Sequence, residues 1–451
     1  MGITRRILLK ASALGLAVGC LSAARAAAER KAAYYFPDMA PEEVAKTANP
    51  KEPIGETISI GFLAALSGPD AGWGLPGLTG NQMFIDKVNS EGGLLVGGTR
   101  YPLQMHSFDD EAIGSKALQG ARELVLRHKV KFISAVGGSP ADTTHPFLTQ
   151  HKVIYGSLVS ADIKPDRPYL LSGGDVTPRF DMLRPVYHRY NNPSLKRWAA
   201  VCQDDTIGRT CQAWEVGAAI ADGWEVVYDE HYSMDTTDFA PIVTAILAAK
   251  PDVVSLSLSY PDFVVGICEQ LFNQGFKGIV SANYIEEESV LQRVPKEWLE
   301  GATNSYPLFD DPWWGEPSVQ HQFYQDWMSR YGAGAPADVK RNITGVDWDH
   351  AITLQVWAHG CQLAGTFDPD EVLKALRAQK SFPTLLGPAR MGGADMWGID
   401  NMISPPIPFC EVRDGAKRVQ AVLRYDKWFE SRKDTIIKVV RDKGQMWDQR
   451  V

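Results

Sequence analysis

The sequence predicts an α/β protein of two lobes, each built on a doubly wound parallel sheet. Strand-like and helix-like segments alternate from about residue 57 to residue 175, and the alternation starts again after residue 176. The chain has 451 residues, which is more than one hydrophobic core usually serves. In open sheets of this kind, ligands bind at the carboxyl ends of the strands. We therefore expect a ligand crevice along those ends.

The elements of the first unit follow from apolar runs separated by turn residues. Strands are predicted at TISIGFLAAL, YPLQMHSFDD, KFISAV and VIYGSLV. Helices are predicted at LTGNQMFIDKVNSEGG, SKALQGARELVLRHK and TTHPFLTQH.

The second unit repeats this pattern. Its strands are predicted at RWAAVCQ, EVVYDEHY, DVVSLSLS and KGIVSAN, and its helices at RFDMLRPVYHRYN, TCQAWEVGAAIADG, DFAPIVTAILAAK and DFVVGICEQLFNQG. The C-terminal third differs, because two long helical stretches (VQHQFYQDWMSRYG and GVDWDHAITLQVWAHGCQLAG) precede the strand-like pieces PPIPFCEVRDG and VQAVLRYDKW. We expect this third to complete the two lobes rather than to form another.

The segment GWGLPG, from Gly72 to Gly77, has the spacing of a dinucleotide-binding fingerprint. SGPDA separates it from the preceding strand, and Pro76 lacks the N–H group that such a loop would offer to a phosphate. We interpret the segment as a turn-rich connection whose glycines permit tight backbone geometry.

The N-terminus has the features of an export signal. Arg5 and Arg6 precede an apolar stretch that ends in the small-residue pattern Ala24-Arg25-Ala26. The paired arginines favour the twin-arginine route into the periplasm, with residues 1–26 as the signal peptide. A lipoprotein anchored at Cys20 is the alternative. Residues 27–56, rich in Ala, Pro and charge, are predicted to be an extended leader.

Composition limits the partners. Removing residues 1–26 takes away four basic residues and no acidic ones, so the formal net charge changes from −8 to −12. Such a surface argues against nucleic acid and anionic membranes as partners. No later apolar run reaches the roughly 18 residues of a membrane span, so the mature protein is expected to be soluble.

Neither the cysteines nor the known catalytic motifs predict an enzyme. The five later cysteines match no metal pattern, and their odd number leaves at least one thiol free; two buried thiols are as good an account of Cys202 and Cys211 as a disulfide. No nucleophile elbow, zincin motif or phosphate loop is present. The acidic pairs that begin at Asp109 and Asp204 are interpreted as helix caps. We expect no catalytic residues, metal or cofactor.

The order of several segments is specific even though each alone is weak. These are IGFLAALSGPDAGWG, NSEGGLLVGG, FDDEAIGSKALQGARELV, VGGSPADTTHP, DTTDFAPIVTAILAAKPDVVSLSLSYPDFVVGICEQLFNQGFKG and TGVDWDHAITLQVWAHGCQLAGTFDPDEVLKAL. From about Ile58 to Tyr425 the chain resembles the periplasmic substrate-binding proteins of ABC transporters, of the leucine/isoleucine/valine-binding branch with the type I periplasmic binding fold.

The resemblance implies two lobes joined by a three-crossover hinge that close on a ligand between them. On that model the first lobe takes residues 57–175 and 310–404, and the second takes 176–309 and 405–428. Residues 429–451 are then an added C-terminal tail.

The resemblance also implies ligand-binding positions. In the first lobe Trp73 matches the aromatic residue after the first strand, Ser139, Asp142 or Thr143 the polar contact after the third, and Ser160 the contact in the next loop. In the second lobe the matching positions are Asp205, Tyr260 and Asn283.

Asn283 stands where the family holds an acid for the α-ammonium group of an amino acid. An unpaired buried charge is too costly. We therefore expect a small organic acid, or another neutral-to-anionic metabolite, rather than a free branched-chain amino acid.

The predicted function is that of a monomeric extracytoplasmic solute-binding protein that delivers its ligand to the membrane subunits of an ABC importer. A sensor of the same fold that feeds a kinase or chemoreceptor is the first alternative. A twin-arginine-exported cofactor enzyme is the second.

Overall fold

A computed structural model describes residues 52–68, 70–173, 178–315, 318–337 and 340–450. The predicted signal peptide, Cys20 and most of the leader lie outside these residues. The strands are β1 Ile58–Ala64, β2 Leu94–Val96, β3 Thr99–Tyr101, β4 Leu103–Asp109, β5 Phe132–Ala135, β6 Ile154–Ser157, β7 Leu170–Ser172, β8 Arg197–Gln203, β9 Glu225–Tyr232, β10 Val253–Ser255, β11 Ile279–Ser281, β12 Thr303–Asn304, β13 Phe382–Thr384, β14 Gly387–Ala389, β15 Met391–Gly392, β16 Met402–Ile403, β17 Ile407–Arg413 and β18 Ala416–Leu423.

The helices that the sequence predicted occur in the predicted order, with further short helices between them and after them. They are α1 Ala71–Ser90, α2 Gly114–Arg122, α3 Ser139–Gln150, α4 Pro178–Asn191, α5 Thr206–Ala221, α6 Ala240–Ala248, α7 Pro261–Asn273, α8 Glu287–Leu291, α9 Lys296–Leu299, α10 Val319–Tyr331, α11 Val346–Ala364, α12 Pro369–Ala378, α13 Ala394–Trp397, α14 Asp426–Glu430 and α15 Lys433–Asp442. None of the helices in the described ranges is both long and apolar enough to cross a lipid bilayer.

Two seven-stranded sheets carry the two lobes. The first has the order β15-β16-β7-β6-β5-β1-β4 and the second β18-β17-β12-β11-β10-β8-β9. Pairing is parallel except for β15 at the edge of the first sheet and β17 and β18 in the second. The predicted parallel sheets are thus confirmed, with short antiparallel additions at one edge of each.

The chain passes between the sheets three times, after β7, after β12 and after β16. The C-terminal third therefore does add strands to both lobes, as expected. The predicted lobe boundaries lie within these three connections, and we propose them as the division between the lobes.

Two local expectations are wrong. The segment GWGLPG is not a loop, because α1 already begins at Ala71 and contains it. The predicted strand DVVSLSLS ends at Ser255, and Ser257 has a positive φ of 45°. The predicted C-terminal tail is held on the fold, since α15 packs against α5 with Ile436 and Val440 fully buried.

Candidate functional site

A cavity of about 390 Å³ lies between the two lobes, where the strands end. Its walls in the first lobe come from the residues that follow β1, β4, β5 and β6, and in the second lobe from those that follow β8 and β10. The predicted position of the crevice, at the carboxyl ends of parallel strands, agrees with this geometry.

Five of the predicted site residues line this cavity, and three do not. Trp73, Ser139, Asp142, Asp205 and Tyr260 are among the lining residues. Thr143 is outside the lining and donates its hydroxyl to the carbonyl oxygen of Ser139 (3.2 Å). Ser160 and Asn283 are fully buried and also lie outside the lining.

The displacement of Asn283 changes the argument about the ligand. Its backbone N–H donates to the carbonyl oxygen of Ser257 (2.9 Å), which holds the segment after β11 against the segment after β10. Asn283 lies outside the lining of this cavity, so the cavity gives no support to the argument from its missing charge.

Trp73 enters the cavity from the first turn of α1. Its ring is half-buried and lies 6.2 Å, centroid to centroid, from the ring of Tyr284 on the second lobe. Helix α1 comes this close to β1 because the next residue is a glycine: a Cβ at Gly74 would lie 1.9 Å from the carbonyl oxygen of Ala65. The glycine thus allows the helix to present the indole at the strand end.

Asp205 and Tyr260 form one hydrogen-bonded unit on the second lobe. Tyr260 Oη donates to Asp205 Oδ2 (2.8 Å), and the other carboxylate oxygen accepts from the backbone N–H of Gly208 (2.6 Å) at the start of α5. Asp205 is therefore the N-cap that the sequence suggested, and it also lines the cleft. Burial, together with the charge of Asp205, raises the pKa of the Tyr260 hydroxyl, which stays neutral.

Three carboxyl groups that were not predicted as site residues also line this cavity: Asp70, Asp110 and Asp162. Burial, and then the charge of Asp205, raises the pKa of Asp70, whose side chain makes no capping bond to α1. The pKa of Asp110 is raised to about 6, chiefly by burial and also by the charges of Asp109 and Asp70. One hydrogen bond, from the N–H of Ala112 (2.8 Å), acts in the opposite direction and lowers this pKa. These acidic side chains follow strand ends, which is the signal that could have identified them.

The loop after β5 is organised by Asp162. Gly137 and Gly138 both have positive φ, and a Cβ at Gly137 would lie 2.0 Å from Ser157 Oγ. Asp162 Oδ2 accepts from the N–H of Gly138 (2.9 Å) and from Ser157 Oγ (2.8 Å). Burial raises the pKa of Asp162 to about 7.

Asp142 is already paired within the first lobe. Its Oδ1 accepts from Arg167 Nη2 (2.6 Å), and Arg167 Nη1 donates to the carbonyl oxygen of Asp162 (3.1 Å). The charge of Asp142 is thus offset before any ligand enters.

Two cations line the cavity near this pair, Lys164 and Arg450. Neither was predicted. Lys164 follows β6 closely, so its place at a strand end could have been noticed. The sequence around Arg450 does not indicate that this residue lines the cavity, because the local pattern does not show where the C-terminal residues pack.

The cysteines and possible metal ligands give no competing site. Cys202, Cys211, Cys268, Cys361 and Cys410 are all buried free thiols, so Cys202 and Cys211 do not form a disulfide here. No cluster of three metal-ligating side chains occurs within the described ranges.

Fold and site together define a two-lobed α/β binding protein with a ligand cleft between parallel sheets. The family model described as periplasmic binding protein matches residues 57–416, and the chain belongs to that family. The predicted family and fold are thereby confirmed.

Solved structures of similar fold include solute-binding proteins of two ligand classes. One is a solute-binding protein of an ABC transporter from R. palustris in complex with 4-hydroxybenzoate (19% identity, TM-score 0.65, covering 82% of this chain and 97% of that one). A second is a leucine-binding protein from Thermotoga maritima (17%, 0.65, 82% and 100%). A third is an amino acid ABC transporter substrate-binding protein from Pseudomonas fluorescens Pf-5 (17%, 0.67, 82% and 96%).

Proposed function

We propose that this protein captures a small solute in the cleft between its lobes and presents it, as a monomer, to the membrane subunits of an ABC importer. The observation that carries the proposal is that one cavity is walled by residues from both lobes, including Trp73 and Tyr260. Its size suits a small molecule with an apolar body and a few polar groups. The role is binding rather than catalysis.

Closure follows from the same geometry. A ligand that touches both walls stabilises the arrangement in which the walls are close, and two lobes joined by three connections move about those connections as a hinge. In the structure the lobes already meet across the cavity, since a Cβ at Gly138 would lie 3.4 Å from Ile207 Cδ1.

The charges of the cleft favour a ligand with a cationic group. Asp70, Asp110 and Asp205 line the wall beside Trp73 and Tyr260. The raised pKa values of Asp70 and Asp110 reflect burial first and then repulsion from neighbouring carboxylates. An ammonium group placed among them would offset that repulsion. This reverses our sequence-based preference for a neutral or anionic metabolite, because that preference rested on Asn283. An aliphatic or aromatic amino acid satisfies both the aromatic wall and the carboxylates.

The protein is also proposed to work outside the cytoplasm after export by the twin-arginine route. Arg5, Arg6 and the site after Ala26 support this, since they precede the residues that the family model covers. Mass spectrometry of protein from its native source should give a mature N-terminus near Ala27. An intact N-terminus would contradict the export proposal.

Thermal-shift screening followed by calorimetry tests the binding function. The twenty amino acids, benzoate and 4-hydroxybenzoate form the first panel, and a ligand at a hundredfold excess over Kd raises stability by about 2.7 kcal/mol. For the best ligand, Trp73→Ala should weaken binding at least about tenfold, because the indole loses its apolar contact.

Trp298→Ala is the matched control. Trp298 is also half-buried, but it contacts Phe272 (5.9 Å between centroids) and does not line the cavity. Equal losses in both variants would contradict the assignment of the cleft. Leucine, isoleucine and valine are titrated individually, since tight binding of any of them settles the ligand class.

A further inference from the structure

The C-terminal strap, residues 426–450, is anchored on the second lobe. Ile436 and Val440 of α15 are fully buried, and a Cβ at Gly217 of α5 would lie 3.2 Å from Ile436 Cγ2. Thr210 Oγ1 donates to Gln445 Oε1 (3.1 Å). This close apolar fit makes the strap part of the folded lobe.

The end of the strap then reaches the first lobe. A Cβ at Gly398 would lie 2.7 Å from Trp447 Cε2 and 2.8 Å from Pro165 Cγ, so the indole fills the space between these residues. Lys433 pairs with Asp395 (3.1 Å), on the helix that precedes β16. The strap therefore connects the two lobes by a route separate from the three chain crossings.

The strap delivers Arg450 to the ligand cavity. The guanidinium carbon lies 5.3 Å from the ring centroid of Trp397, and Lys164 Nζ donates to the carbonyl oxygen of Arg450 (3.1 Å). Nε and Nη2 of Arg450 are buried, and neither has a hydrogen-bond partner within the described part of the chain. Buried guanidinium N–H groups without acceptors are costly, so this arrangement favours an acceptor from outside the protein.

The charges around Arg450 do not supply that acceptor. Asp142 is bonded to Arg167, and Asp162 is bonded to Gly138 and Ser157. Burial lowers the pKa of Lys164, with Arg167 and Arg450 contributing, and burial lowers the pKa of Arg450 to about 10. Lys164 and Arg450 therefore line this end of the cavity beside carboxylates that already have partners.

We infer that Arg450, together with Lys164, forms a subsite for the anionic group of the ligand, a carboxylate, and that the strap is part of the binding site. A planar guanidinium matches a carboxylate in a two-bond pairing that an ammonium cannot reproduce. The inference rests on the proposed function and adds to it: a carboxylate at Arg450 and a cationic group at Asp70 and Asp110 describe a zwitterionic ligand.

The test compares Arg450→Gln, Lys164→Gln and wild-type protein against carboxylates and their primary amides. The amino acids, benzoate and 4-hydroxybenzoate are screened first, and the best-bound acid and its amide are then titrated calorimetrically. Loss of a charged hydrogen bond should weaken binding of the acid about tenfold to a hundredfold in Arg450→Gln and leave binding of the amide nearly unchanged. Arg450→Lys should recover part of the loss.

Arg441→Gln is the control, because Arg441 lies on the same strap, is about half exposed and pairs with Asp448 outside the cavity lining. It should bind the acid as wild type does. Circular dichroism and the Tm of each variant establish that the strap is still folded, and Arg450→Lys keeps the comparison available if Arg450→Gln does not fold.

The inference is overturned if Arg450→Gln binds acid and amide with the same relative loss, or binds the acid normally. It is also overturned if no carboxylate in the panel stabilises the wild-type protein. A neutral or cationic ligand that still depends on Trp73 would leave the solute-binding function standing while removing the subsite.

Discussion

Asp110 shows how a single side chain can link ligand binding to pH. It is buried beside Asp70 at the end of β4, and its pKa is about 6 instead of the ordinary 3.8. Because the folded-state pKa lies above the ordinary value, the stability tied to this group is present at low pH and is lost as pH rises through about 6. The folded protein without ligand favours the protonated form of Asp110, whereas a cationic ligand group favours the ionised carboxylate.

Ligand affinity should therefore fall as pH decreases from 7.5 to 5. We expect Asp110→Asn to flatten this dependence and to bind about tenfold more weakly at pH 7.5, because the amide carries no charge. Calorimetric titration of wild type and Asp110→Asn with the tightest-binding amino acid, at pH 7.5 and at pH 5, measures this dependence. Asp162, whose pKa is about 7, is present in wild type and in Asp110→Asn. The difference in pH dependence between these two proteins therefore comes from Asp110. An equal pH dependence in the two proteins would show that the cationic group lies elsewhere.

The residues that sequence reasoning placed at the cleft share one property. The family resemblance placed Trp73, Asp205 and Tyr260, and each lies in the segment that follows a sheet strand, namely β1, β8 and β10. Asn283 follows β11 as directly, but it is not among the residues that line the cavity. Short-range pattern gives the sheet edge, and only tertiary packing decides which side chains at that edge reach the ligand.

At the scale of elements, the start of α1 was missed because its composition resembles a loop. Glycine and proline lower helix propensity, but tertiary packing overrides it here. Gly77 and Gly80 lie against α11, where a Cβ at Gly77 would come 2.3 Å from His350 Cδ2. The small residues are the reason that two long helices pack closely, and this information is absent from a local reading of GWGLPG.

Gly80→Ala should destabilise the protein substantially. The added Cβ would lie 1.6 Å from the carbonyl oxygen of Asp347, a backbone atom that cannot rotate away. We expect a loss of about 3 kcal/mol in the free energy of unfolding, the upper part of the range for overpacked cores. Urea denaturation monitored by circular dichroism measures it.

Gly72→Ala, on the same helix, is the matched control. Nothing lies within 4 Å of its added Cβ, and the alanine reduces the conformational entropy of the unfolded chain. It should be neutral or up to about 1 kcal/mol more stable. A Gly80→Ala protein as stable as Gly72→Ala would contradict the proposed contact between α1 and α11.

For the whole molecule, the rhythm of the sequence predicted two lobes, parallel sheets and a C-terminal third shared between them. The strap was missed because the pattern of residues 429–451 shows an amphipathic helix but not the surface that it covers. That surface, α5, is more than 200 residues earlier in the chain. Contacts at such separation depend on the assembled fold, and periodicity carries no record of them.

The strap should limit how far the lobes open in the absence of ligand. Trp447 is its apolar contact with the first lobe, beside Gly398 and Pro165, while α15 is held separately by buried Ile436 and Val440 on the second lobe. Trp447→Ala should therefore weaken this tie without unfolding the strap, although the Lys433–Asp395 pair remains. Small-angle scattering should then give a larger radius of gyration for the ligand-free variant than for ligand-free wild type. With the best ligand at saturation the two values should converge, because the ligand bridges the lobes itself.

Trp447→Phe keeps an aromatic ring in the contact and should resemble wild type. Equal radii for ligand-free Trp447→Ala and wild type would show that the Trp447 contact does not limit the opening of the cleft.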